Sequence, residues 1–275
     1  MPCEVLTLRR PSPVLGREKR VNVLLPAGYR ETGRGHPVLY LLHGYGGGRD
    51  TWLTNTSLSE LVEDSGMIVV LPESGRQWFV NDHAGLRYED YFVNELVATV
   101  DEEFNTVAGE RARVVGGFSM GGATALFLAL RHPGLFGAVA AHAGAFEAPL
   151  RVGDPYAGHR VSAGFVMPTV ASHERVWGPP GSATRRAYDP YRLIRDCTAP
   201  PAVYLDVGSG DYDRVIRMNR AVRTALENRG WAVEYHERPG GHDWDFVNAA
   251  LPWSLGFLRR HLATADAPGL GVSIA

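Results

Sequence analysis

Gly117-Phe118-Ser119-Met120-Gly121, followed by Gly122, sets a serine between small residues two positions before it and two after. In the G-x-S-x-G pattern a strand delivers serine to a sharp turn and a helix begins at once, and the small neighbours let strand and helix approach closely. The surrounding ARVVGGFS and MGGATALFLALRH supply that strand and that helix. A helix N-terminus beside the serine aims amide groups at the point where negative charge would develop. The chemistry this suits is acyl transfer through a serine ester, which at neutral pH needs a histidine to take the serine proton.

Where serine, acid and histidine follow in that order, the histidine comes late in the chain. Of ten histidines, His236, His242 and His261 qualify. His236 falls inside a strand pattern and His261 near the end of the last helical pattern, so both read as structural. His242 stands in Arg238-Pro239-Gly240-Gly241-His242-Asp243-Trp244, a turn between the last strand and the last helix. Loops at the carboxyl edge of a parallel sheet are where ligands meet such folds. The acid must hold one imidazole tautomer and stabilise the imidazolium, which calls for a carboxylate on a neighbouring loop. Asp211, in Gly208-Ser209-Gly210-Asp211-Tyr212-Asp213, is the first choice and Asp213 the second; Asp206, inside the preceding strand, is third. Asp243 adjoins His242 and is expected to cap the following helix.

Acyl transfer also needs donors for the oxyanion. One is the backbone N–H of Met120; the run Leu41-Leu42-His43-Gly44-Tyr45-Gly46-Gly47-Gly48 offers Tyr45 or Gly46 as the other. That run lacks a G-K-[ST] ending and a G-x-G-x-x-G helix start, so it is a poor phosphate cradle. His43 has no partner at metal-ligand spacing, and Cys3 and Cys197 form no C-x-x-C pair, so neither metal nor cofactor is expected. Tyr45 and Trp78 fall just after expected strands and are candidate pocket walls; Gly46 and Trp177 complete the candidate substrate contacts. Asn81, Asp82 and His83 either reach substrate or form a polar turn.

The elements that would position these residues are legible as alternating short apolar runs and longer amphipathic ones, the pattern of a parallel sheet flanked by helices. Strands are expected at 20–25, 37–43, 67–72, 112–119, 137–143, 202–207 and 232–237, most of them continuously apolar as strands covered on both faces are. Helices are expected at 88–104, 120–132, 213–229 and 244–261. No repeat or linker divides the 275 residues, so 1–275 is expected to form one α/β domain. Residues 144–188 carry few periodic apolar positions and exceed an ordinary loop; they are expected to act as a cap whose Trp177 and Phe165 select the substrate.

A net charge of −2 gives no positive field for nucleic acid, and Lys19 is the single lysine among 28 basic residues. No run approaches a membrane span or a secretory leader, so a cytoplasmic protein with no membrane partner is expected. The sequence leaves oligomeric state open.

Taken together, these residues resemble the esterase D or putative-esterase family of α/β-hydrolases, which includes formylglutathione hydrolases, feruloyl esterases and the mycolyltransferase antigens. The resemblance runs from about Ser12 to His261. Ser12–Gly16 leading to Pro26-Ala27-Gly28-Tyr29 is similar to the family's opening strand, Leu41–Gly48 with Trp52 to its oxyanion block, and Arg87-Tyr88-Glu89-Asp90-Tyr91 to its Y-E-D-Y helix. Gly117–Gly122, Gly208-Ser209-Gly210-Asp211 and Gly240-Gly241-His242-Asp243-Trp244 resemble its elbow, acid and base segments. The resemblance implies an α/β-hydrolase fold, a serine carboxylesterase acting on a small-molecule ester, Ser119, Asp211 and His242 in the catalytic roles, and the Tyr45 amide as second oxyanion donor. An acyltransferase using the same residues is the alternative. A noncatalytic receptor on the same scaffold would show a broken residue set, and none is visible.

Overall fold

The computed structural model describes residues 3–107, 109–153 and 168–262. Its centre is a sheet of β1 (Glu4–Ser12), β2 (Arg17–Leu25), β3 (Val38–Leu42), β4 (Ile68–Pro72), β5 (Arg113–Phe118), β6 (Ala138–His142), β7 (Ala202–Gly208) and β8 (Val233–Arg238). The spatial order is β1-β2-β4-β3-β5-β6-β7-β8. β2 pairs antiparallel with both β1 and β4, and every other pairing is parallel. Every residue of β3, β4 and β6 is buried, which explains why these strands read as unbroken apolar runs.

Two apolar layers cover the sheet. On one face the helix Met120–Arg131 packs with Phe79, Phe92 and Phe136; on the other the helix Trp244–Arg260 packs with Trp52 and Phe118. Both helices start at the carboxyl ends of parallel strands, so both bring their first turns to one edge of the sheet.

All seven expected strands form, with shifts of a few residues at their ends. β1 was not expected: of the apolar residues in the edge strand EVLTLRRPS only Leu6 and Leu8 turn inward, half-buried against the core, and two alternating positions followed by Arg9, Arg10 and Pro11 are too short a signal to read. The expected helix at 88–104 forms with an interruption, turning π-helical at Tyr91–Leu96 between α-helical Tyr88–Asp90 and Val97–Glu103. Within 144–188 the described residues form a 3-10 turn Ala148–Leu150 and the helices Val170–Trp177 and Ala183–Ala187. These helices are too short for periodicity to reveal, but each has a side-chain cap: Thr169 accepts from Ser172 N–H and Ser182 from Arg185 N–H. Phe165 lies outside the described residues. Among them no helix is long and apolar enough to cross a membrane.

Candidate active site

Ser119 sits between β5 and the helix Met120–Arg131 with φ 54° and ψ −109°, a backbone that a non-glycine residue keeps only when its surroundings enforce it. Its N–H donates to His142 O at 2.8 Å, and its carbonyl accepts from Ala123 and Ala145 N–H, each at 3.0 Å. The glycines act by close approach. A Cβ on Gly121 would lie 2.3 Å from Leu42 O, and one on Gly117 2.4 Å from the Gly121 carbonyl carbon. Gly121→Ala must therefore push the helix away from β3, and should lower unfolding free energy by about 3 kcal/mol. A urea midpoint equal to that of the wild type would show that the elbow is packed less closely than this.

His242 Nε2 accepts from Ser119 Oγ at 2.8 Å, and its Nδ1 donates to Asp211 Oδ2 at 2.8 Å. The Asp211 side chain is fully buried and the His242 side chain 12% exposed, so the carboxyl group is shielded while the imidazole faces the opening. The other Asp211 oxygen, Oδ1, accepts from Tyr212 N–H at 2.6 Å, which fixes the carboxylate. Phe118 and Tyr212 place their rings 4.9 and 5.7 Å from the imidazole and restrict its movement. Of the three candidate acids only Asp211 meets His242. Asp213 heads the helix Asp213–Asn228, exposed, and Asp206 bonds His142 instead. Asp243 accepts from Phe246 N–H at 2.8 Å, a helix cap.

The glycine-rich loop after β3 brings Tyr45 to the same place. Gly46 N–H donates to Gly75 O at 2.9 Å and is already used. Among the described residues, the N–H groups of Tyr45 and Met120 have no hydrogen-bond acceptor. The loop is anchored by buried His43, whose Nδ1 donates to Gly44 O at 2.6 Å while Nε2 accepts from Ser74 N–H at 2.9 Å.

Burial pushes His43 down to about 4 from 6.5, and burial with nearby arginines pushes His173 down to about 4 as well. Below about pH 6.5 the unfolded chain binds protons that the folded one refuses, so this stability is complete above pH 6.5 and is lost as pH falls towards 4. From His43 alone, unfolding free energy should be about 2 kcal/mol lower at pH 5 than at pH 7. Urea midpoints that stay level over that interval would refute it.

Two clefts open on Ser119, His242 and Tyr45. One is walled by Trp78, Ala145, Arg151, Pro168, Tyr212 and Arg214. The other, about 400 Å³, is walled by Gly46, Gly47, Thr51, Phe118, Asp243 and Trp244. Trp78 and Gly46 thus stand where the sequence placed them. Trp177 does not: it is fully buried, with its ring 4.8 Å from Trp78 and 5.8 Å from Tyr188, and it reaches neither cleft. The helix Val170–Trp177 turns Trp177 into the core to cover apolar area, so it supports Trp78 from behind. Asn81 and Asp82 form a turn, through Asn81 Nδ2 to Asp90 Oδ1 at 2.7 Å and Leu86 N–H to Asp82 Oδ1 at 2.8 Å. Arg151 and Arg214 were not anticipated. Arg214 alone had a signal, its place in the first helical turn after the acid loop.

A mostly parallel sheet with a strained serine on a strand-to-helix turn, and histidine and acid loops at the same edge, defines an α/β-hydrolase. The chain belongs to the putative-esterase family, whose profile matches residues 12–258. It is 32% identical over 247 residues to Esterase Rv1288 of Mycobacterium tuberculosis, covering 83% of this chain and 53% of that one. The chain therefore spans about half the length of that relative. It is also 29% identical over 216 residues to an acetyl esterase of Caldicellulosiruptor saccharolyticus, covering 77% of this chain and 79% of that one. The solved structure of the fluorophosphonate-binding serine hydrolase FphF of Staphylococcus aureus shares the fold, with a TM-score of 0.80 at 20% identity over 94% of this chain and 99% of that one.

Proposed function

We propose that this protein is a serine carboxylic ester hydrolase that works through an acyl-enzyme on Ser119. The observation that carries this reading is the continuous chain Ser119 Oγ, His242, Asp211 at 2.8 Å per link, beside two N–H groups left for an oxyanion. Ser119 Oγ attacks the ester carbonyl as its proton passes to His242 Nε2. The Tyr45 and Met120 amides stabilise the oxyanion, and His242 returns the proton to the departing alkoxide. Water, activated by the same imidazole, attacks the acyl-enzyme and releases the acid. No step calls on a metal or cofactor.

The wider glycine-lined cleft has room for the alcohol portion, and the Trp78 cleft takes the acyl group. On this reading the described residues 144–153 and 168–188 belong to the same domain, and Ala145, Arg151 and Pro168 among them wall the Trp78 cleft. The family and the relatives named esterase support hydrolysis over transfer. The test is product analysis on a series of acyl esters with and without acceptor alcohols. Free acid as the main product supports hydrolysis; a new ester in preference to acid would assign the protein as an acyltransferase.

A further inference from the structure

A second serine–histidine–aspartate cluster lies sealed beneath the first. His142 and Asp206 are register partners at the carboxyl ends of β6 and β7. His142 Nδ1 lies 2.8 and 3.0 Å from the two Asp206 carboxylate oxygens, and Nε2 lies 3.0 Å from Ser254 Oγ. Ser254 Oγ also lies 3.0 Å from Leu251 O, one turn back in the same helix. Tyr204 OH donates to Asp206 Oδ2 at 2.9 Å. His142 and Ser254 are 1% exposed and Asp206 is 0% exposed, so no substrate can reach them.

The backbone of the same pair carries the nucleophile turn. His142 O accepts the Ser119 N–H and Asp206 O accepts the Ala143 N–H, each at 2.8 Å. Ser119 and Ala143, with φ 54° and 47°, are the two non-glycine residues of positive φ among the described residues. Both strained residues hang from this one pair. Ser254 belongs to the helix Trp244–Arg260, which starts two residues after His242, so the cluster also ties the base-bearing segment to β6. Apolar residues of similar volume often join such layers with equal or greater stability, so three buried polar groups here point to a role beyond stability.

We propose that Asp206, His142 and Ser254 are positioning residues that clamp the strained turn of Ser119 and the helix behind His242 into one register, a proposal that rests on the serine-hydrolase reading above. Reactive geometry is sensitive to displacements well under an ångström, so loosening the clamp should lower turnover more than binding.

The test compares Ser254→Ala, His142→Ala and His142→Asn, whose amide keeps a donor facing Asp206. The readouts are kcat and KM on p-nitrophenyl acetate and the rate at which an organofluorophosphonate labels Ser119. His142→Ala should lose about 100-fold in kcat and labelling rate with KM within about twofold, Ser254→Ala about tenfold, and His142→Asn should recover at least about tenfold of the alanine loss. If His142→Ala does not fold, the other two variants decide. Wild-type labelling rates in both, whatever their Tm, or a rise in KM at constant kcat, would overturn the clamp alone. A wild-type protein that takes no label on Ser119 would overturn the hydrolase reading and the clamp with it.

Discussion

Ser119→Ala should cleave esters about 10⁴-fold more slowly than the wild type, or worse, while folding normally. Among the described residues the serine hydroxyl has a single hydrogen-bond partner, His242, and the turn is held through the Ser119 backbone rather than its side chain. Removing Oγ therefore deletes the nucleophile and leaves Gly117, Gly121 and the His142 contact in place. What activity remains comes from binding and the two amides. Circular dichroism and urea unfolding should match the wild type within about 1 kcal/mol. After treatment with an organophosphate, intact and peptide mass spectra should show a single adduct on Ser119 in the wild type and none in the variant. An adduct on another residue, or an alanine variant that keeps more than a few per cent of the activity, would sink the assignment.

Asp211→Asn should cost about 10⁴-fold in kcat as well, for a different reason. The carboxylate only accepts, so it holds His242 with hydrogen on Nδ1 and a lone pair on Nε2 towards the serine. An amide can turn its NH₂ to Nδ1, which would place the imidazole hydrogen on Nε2 and leave the serine no base. Geometry and KM should change little. Asp213→Asn, at an exposed helix start, should change kcat less than about threefold. Equal small losses in the two variants would move the acid elsewhere.

The residues proposed to react were legible because the geometry they need constrains the local sequence. Close approach at the elbow forces glycine at 117 and 121, and the sheet edge forces turn-rich segments after β7 and β8, so Ser119, Asp211 and His242 each sat in a segment of recognisable type. The oxyanion loop was legible as glycine-rich and the family resemblance pointed to Tyr45, but the residues alone left Tyr45 and Gly46 open, because Gly75 lies on another segment and it is Gly75 O that occupies the Gly46 amide. Trp177 was misplaced because a tryptophan in a glycine- and proline-rich stretch carries no local sign of which way it faces. It is buried against Trp78, 99 positions before it, and Tyr188, 11 positions after it, contacts that no local pattern reports. β1 escaped because only Leu6 and Leu8 among the apolar residues of this edge strand face the core, too few positions for a period to show.

The sequence by itself determined the fold class, the central strands and helices, and the serine and histidine here proposed as nucleophile and base, since burial on two faces and tight turns leave their mark residue by residue. Only the tertiary structure decided which of three aspartates meets His242, which amides remain for an oxyanion, and what surrounds the clefts. It also decided that Asp206, a candidate acid by position, turns away to His142 on the sealed side of the sheet. The physical reason is that Asp206 is still inside β7, its side chain fixed on the face that the helix Trp244–Arg260 covers, whereas Asp211 lies past the strand on the loop edge shared with Ser119 and His242, and which residues meet there is settled by packing over distances in sequence that local pattern does not span.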